Sequence, residues 1–170
     1  MAKSAIQKQT HCKQTILVLT RLAMGWMFFW AFIDKLFGLG YATTPENSWL
    51  AGNSPTLGFL SSATHGPFAN FYHSLAGNPL VDWLFMLGLG LIGLAFILGI
   101  GLRIAGYGGA LLVILMWSSL LPPANNPFMD EHIIYALVFL LLPHLNAGRT
   151  LGLGEWWAKT QLVKKYPFLQ

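Results

Sequence analysis

The run RLAMGWMFFWAFIDK, Arg21 to Lys35, leaves its chain few choices. It is apolar throughout, with charge only at its two ends. Counted from Ile16, nineteen helical steps of about 1.5 Å carry the chain roughly 28 Å to Lys35, close to the hydrocarbon thickness of a bilayer. The segment therefore reads as a first transmembrane helix over 16–37. Arg21 and Lys35 stand where long side chains can reach an interface, and not at mid-bilayer, where a charge is costly.

Composition supports that reading. Of 170 residues, 55% are hydrophobic and only 9% are charged, against about a quarter charged in soluble domains. A soluble enzyme is excluded. The net charge of +4 gains meaning from its placement and does not point to nucleic acid. Cys12 is the only cysteine, which leaves no disulfide, zinc cluster or C-x-x-C pair within the chain.

Three further apolar runs follow. Asn78-Pro79-Leu80-Val81-Asp82 has the pattern of a helix start: a cap, proline in the first turn and an early acid. It opens a second span, 79–100. Gly99 and Gly101 permit a tight reversal into a third, 102–121, stopped by Pro122-Pro123. Asn126-Pro127 opens a fourth, 127–146. The connection 41–77 has no Lys or Arg, but it repeats the cap-then-proline pattern at Thr44-Pro45, Ser54-Pro55 and Gly66-Pro67. Short helices with aromatic rings at headgroup level are expected there. The tail 154–167, with Trp156-Trp157 beside Lys159, Lys164 and Lys165, reads as interfacial.

The expected fold is thus all-α: an integral membrane four-helix bundle forming one domain. Apart from Lys35 at the outer end of the first span, its basic residues are Lys3, Lys8, Lys13 and Arg21, then Arg103 in the tight turn, then Arg149 to Lys165. With four spans all of these fall on one side, so both termini are cytoplasmic. The basic residues 1–15 resemble a signal peptide, but Arg21 interrupts the apolar run and no small-x-small cleavage site follows; an uncleaved anchor is the expectation. Arg21-Leu22-Ala23 is echoed by Arg103-Ile104-Ala105, and Asn78-Pro79-x-x-Asp82 by Asn126-Pro127-x-x-Asp130. The echo fits two related hairpins, although every hairpin needs an inner cation and an outer cap. Gly25, Gly88, Gly93, Ala105 and Gly109 lie in small-residue patterns that let helices approach closely in lipid.

Two ends could carry chemistry. At the outer helix ends the topology gathers Asp34, Lys35, Asp82, Asp130, Glu131 and His132, with Asn125 and Asn126 beside them. Asp34, Lys35 and His132 are the catalytic candidates, His132 as a proton exchanger. Trp30, Asp82, Trp117, Asn126, Asp130 and Glu131 are candidates for a substrate or quinone pocket. The competing reading is helix capping and interface marking. At the inner end Arg21, Arg103 and Arg149 could hold an anion, but positive-inside topology already requires cations there. The histidines show no ligand spacing, so no haem or metal is assigned.

Arg21-x-x-x-Gly25-Trp26-x-Phe28 running on to Asp34-Lys35-Leu36, Gly99-x-Gly101-x-Arg103-x-Ala105 and Ala147-Gly148-Arg149-Thr150-Leu151-Gly152-Leu153-Gly154 together resemble the DoxX/DoxD family of small four-span membrane proteins of bacteria and archaea. That resemblance implies a multi-pass protein of the cytoplasmic membrane. It also implies a subunit of a thiosulfate:quinone oxidoreductase that forms tetrathionate and passes electrons to a membrane quinone, beside a second, smaller subunit; a homo-oligomer in the lipid bilayer is the other assembly expected. It fixes no catalytic residue. The acidic outer end is a poor field for a dianion, so a partner or the inner arginines would have to bind thiosulfate. The alternative is a non-catalytic scaffold, assembly factor or small-solute carrier.

Overall fold

A computed structural model describes the backbone of residues 2–170 and the side chains of residues 11–170; Lys3 and Lys8 of the basic N-terminal segment lie outside the described side chains. All regular structure among these residues is helical. Helix α1 runs Ala2–Phe37. The connection after it holds the short turns Pro45–Asn47, Trp49–Ala51, Phe59–Ala63 and Gly66–Phe68 and the helix α2, Ala69–Leu75. Then come α3 (Pro79–Leu98), α4 (Leu102–Ser119), α5 (Glu131–His144), α6 (Gly154–Ala158) and α7 (Gln161–Lys165). Three segments are long and apolar enough to cross a membrane: His11–Phe37, Pro79–Leu98 and Leu102–Ser119.

Local chemistry sets these boundaries. Asn78 Oδ1 accepts the Leu80 N–H at 2.9 Å, Pro79 takes the first turn, and Gly99 closes α3 at φ 77°, the left-handed conformation that glycine adopts without a Cβ clash. α4 ends at Ser119, short of the expected 121, because Pro122 disfavours helical geometry in the residue before it. The fourth helix is also shorter than the expected 127–146. Asn126 Oδ1 accepts both the Phe128 and Met129 N–H groups at 2.9 Å, which holds 126–129 in a turn. Asp130 is the true cap, accepting the His132 N–H at 3.0 Å.

The long helices pair as α1 with α3 and α4 with α5, and the pairs join chiefly through α3 and α4. Both pairings use glycine for close approach. A Cβ on Gly93 would lie 2.5 Å from the Phe29 nitrogen, and one on Gly25 2.8 Å from the Ile97 nitrogen. Across the other pair, a Cβ on Gly106 would lie 2.5 Å from the Phe139 carbonyl oxygen. Phe139, fully buried, locks the pairs together: its ring meets Phe28 and Phe96 edge-on, with centroids 4.8 and 5.0 Å apart. The outer surface of α3 presents Leu80, Leu84, Leu87, Leu91 and Leu94 to the surroundings. A continuous apolar face of that kind suits contact with lipid.

Candidate functional site

At the acidic end of the bundle three of the four expected site carboxylates, Asp34, Asp82 and Asp130, have partners, and the partners differ. Asp34 is 2% exposed. It sits in the last turn of α1 and accepts the N–H groups of Tyr41 and Ala42 at 3.3 and 3.0 Å, which folds the chain back over the helix end. Lys35 beside it is half-buried. Asp82 Oδ1, in the first turn of α3, accepts the hydroxyls of Ser54 and Thr56 at 2.8 and 2.5 Å and the Thr56 N–H at 3.3 Å. These bonds fasten the long connection to the bundle.

Other contacts complete that attachment. The Tyr72 hydroxyl meets Ser118 Oγ at 2.5 Å and donates to the Leu115 carbonyl at 3.0 Å. Trp49 packs edge-on against Trp83, centroids 4.6 Å apart. His65 donates its backbone N–H to the Ser119 carbonyl at 3.1 Å, and its ring nitrogens lie 3.1 Å from the Ala63 and 3.2 Å from the Pro122 carbonyl oxygens. Those two carbonyls raise the His65 pKa above its ordinary value.

Asp130 and His132 form a hydrogen-bonded unit of their own. Asp130 Oδ2 stands 2.9 Å from His132 Nδ1, and the two side chains are only 14% and 13% exposed. A carboxylate at Nδ1 assigns the proton of the neutral ring to that nitrogen. The lone pair then lies at Nε2, which makes no hydrogen bond among the described residues. Glu131 is exposed, as is Asn126, whose side chain serves the 126–129 turn.

The expected outer cluster is therefore three separate anchorages. No hydrogen bond or ion pair links Asp34, Asp82 and the Asp130–His132 pair among the described residues. The tryptophans separate likewise. Trp30 contacts Trp26 and Tyr41, while Trp117 donates to the Phe128 carbonyl at 2.9 Å and packs edge-on against that ring.

At the basic end Arg21 departs from expectation. It does not reach out to an interface but is 0% exposed. Its Nη1 donates to the carbonyls of Phe96 and Ile97 at 2.5 and 2.9 Å, and its Nη2 to that of Leu151 at 2.6 Å. The first two belong to the last turn of α3, where carbonyls lack helical partners and the dipole favours a cation. Nε is buried without a partner. Arg103 and Arg149 are exposed and are not joined to Arg21. They line a narrow cleft of about 30 Å³ with Asn146, Gly148 and Trp157, room for little more than one water.

Sequence reasoning missed Ser54, Thr56, Tyr72, Ser118 and the Leu151 carbonyl. Hydroxyls and carbonyls carry no signal until a chain reversal brings them to a charge. Among the described residues no three metal-ligating side chains gather in one place. No known family model, curated protein or solved structure matches the chain.

Proposed function

We propose that this chain is the membrane subunit of a quinone-linked oxidoreductase, crossing the cytoplasmic membrane of a bacterium or archaeon four times with both termini in the cytoplasm. In this reading α5 is the fourth span. Its fourteen residues cover only about 20 Å, and the exposed Phe128, Met129 and Leu145 at its ends extend the apolar band.

The Asp130–His132 pair carries the redox reading. Reducing a quinone to its quinol consumes two electrons and two protons. Joining two thiosulfates into tetrathionate releases two electrons and no proton. Both protons must then come from water through groups at the membrane surface. A histidine held at Nδ1 by a carboxylate, with Nε2 unpartnered, suits proton delivery of this kind. It accepts a proton from solvent, Asp130 stabilises the imidazolium, and Nε2 donates the proton onward. Trp117, near the same end, offers an apolar ring edge to a quinone. Thiosulfate, a dianion, belongs on a partner subunit, because the acidic end repels it.

The test is quinone reduction, followed optically, by the protein purified in lipid with its co-purifying partner and thiosulfate. His132→Gln should lower turnover by about 10²-fold or more with thermal unfolding unchanged. Unchanged turnover would remove His132 from the chemistry. A second reading, a non-catalytic scaffold, assembly factor or solute carrier, is favoured by the engagement of Asp34 and Asp82 in loop attachment. It predicts that no quinone turnover accompanies the folded protein and its partner.

A further inference from the structure

Arg103 and Arg149 arrive at one cleft from different parts of the chain. Arg103 lies in the first turn of α4, and Arg149 in the segment between α5 and α6. The cleft they line adjoins a wider, more open one of about 350 Å³ lined by Arg149, Glu155, Ala158 and Lys159. Glu155 is the single acidic side chain lining either. Among the described residues none of Arg103, Arg149 and Lys159 makes an ion pair. Behind them stands Arg21, buried, bonded only to carbonyls and with no carboxylate to neutralise it. Buried charges are normally paired, so the positive field at this end, offset in part by Glu155 and by the Gln170 oxygen that accepts the Arg103 N–H at 3.0 Å, is strengthened by a guanidinium that no solvent screens.

The rim has the opposite character. Ile104, Leu145, Leu151, Leu153 and Trp156 are all exposed around the same end. Cations in a cleft beside exposed apolar side chains are the two halves of a lipid site. The headgroup needs the first and the acyl chains need the second.

We propose that this end binds the phosphate headgroup of an anionic phospholipid, with Arg103 and Arg149 on the phosphate oxygens and Lys159 at the rim. Guanidinium matches phosphate in a bidentate way, and basic pockets of membrane helices facing the cytoplasm suit such headgroups. The wider cleft takes the headgroup, and the narrow one takes a phosphate oxygen or a water bridging to Arg103. The site rests on the membrane-spanning reading, which puts this end at headgroup level, and is independent of the quinone chemistry.

The test uses the full chain in uncharged detergent micelles at low ionic strength. Short-chain phosphatidylglycerol, short-chain phosphatidylcholine and inorganic phosphate are titrated separately, and the thermal midpoint is read against concentration. The expected result is a saturable rise with phosphatidylglycerol at an apparent affinity about tenfold or more above that of the other two. Arg103→Gln and Arg149→Gln, each at an exposed position, should weaken it by about tenfold. Should either variant fail to fold, Lys159→Gln and the loss of the response in salt replace it.

Equal responses to both lipids would overturn the site. So would phosphate alone matching phosphatidylglycerol, which would mark a free-oxyanion site. An unchanged response in the folded arginine variants would also overturn it. Whether the chain stays dispersed without detergent is measured separately, so failure of the lipid site and failure of the membrane reading are distinguishable.

Discussion

Arg21 and Leu151 lie 130 residues apart and are joined by a 2.6 Å hydrogen bond from the buried guanidinium to the Leu151 carbonyl. Leu151 holds φ 49°, an uncommon conformation for a residue with a side chain, and its carbonyl is presented to Arg21 from that turn. The same guanidinium closes the end of α3. One side chain of α1 therefore ties together the end of the second long helix and the segment that follows α5. The glycines of that segment let it lie close: the Leu153 N–H reaches the Leu98 carbonyl at 2.8 Å, and a Cβ on Gly152 would stand 3.0 Å from the same oxygen.

Arg21→Gln is expected to lower the unfolding free energy by about 3 kcal/mol, because it leaves buried carbonyls without donors. Arg103→Gln, on an exposed side chain, should change it by no more than about 0.5 kcal/mol. Unfolding of both variants in the same detergent measures the contrast. Equal effects would mean that the buried guanidinium has no special structural role.

The α1–α3 crossing makes a sharper demand on volume. Gly93→Ala places a methyl group 2.5 Å from the Phe29 backbone nitrogen, and overpacking of this kind costs about 1–3 kcal/mol. Gly108→Ala meets only the tip of Ile92 at 3.9 Å, so the better helix propensity of alanine should leave stability unchanged or raised. If the Gly93 variant unfolds at the same temperature as the Gly108 variant, the crossing is looser than the structure indicates.

Asp82 tests the attachment of the long connection. Asp82→Ala removes the acceptor for Ser54 and Thr56 and should cost about 2 kcal/mol. Thr56→Val should be far less harmful once Asp82 is gone, with a coupling of about 1 kcal/mol in the double-mutant cycle. Amide exchange across 54–60 should rise in Asp82→Ala while that of α5 stays unchanged. Additive effects would show that the two residues act independently.

His65 should make part of that attachment depend on pH. Both its ring nitrogens face carbonyl oxygens, and a neutral imidazole has one N–H to donate. Only the protonated ring satisfies both, which agrees with its raised pKa. The contribution is fully present below the ordinary value of 6.5 and is lost as pH rises through the higher folded value. Amide exchange over 61–68, corrected for its intrinsic pH dependence, should therefore quicken across that interval. His65→Gln should flatten the response; a variant that keeps the same profile would assign it to another group.

Much of the architecture is local and could be read directly. Asn78-Pro79 opens α3 as expected, Gly99 ends it two residues short of the expected 100, and the cap-then-proline pairs at Thr44-Pro45 and Gly66-Pro67 each begin a short helical turn. The start of α5 was not legible, because Asn126 and Asp130 are both competent caps. Whether Asn126 bonds forward into a turn or into a helix depends on neighbours such as Trp117, which holds the Phe128 carbonyl. The candidate site was legible only as an inventory. Asp34, Asp82, Asp130 and His132 belong to one end of the bundle, yet only Asp130 and His132 are bonded to each other, because they are two residues apart at a helix start.

The sequence by itself determined where the apolar helices lie, the end of α1, the starts of α3 and α4, and the division of the charged residues into an acidic and a basic group. Those properties depend on hydrophobicity and on bonds between near neighbours. Only the tertiary structure decided that Arg21 is buried under carbonyls while Arg103 and Arg149 share a cleft, and that Asp82 holds a loop. A charged side chain takes whichever partner the chain reversals bring within about 3 Å. Those partners, here carbonyls and hydroxyls 26 to 130 residues away, have no distinguishing pattern along the chain.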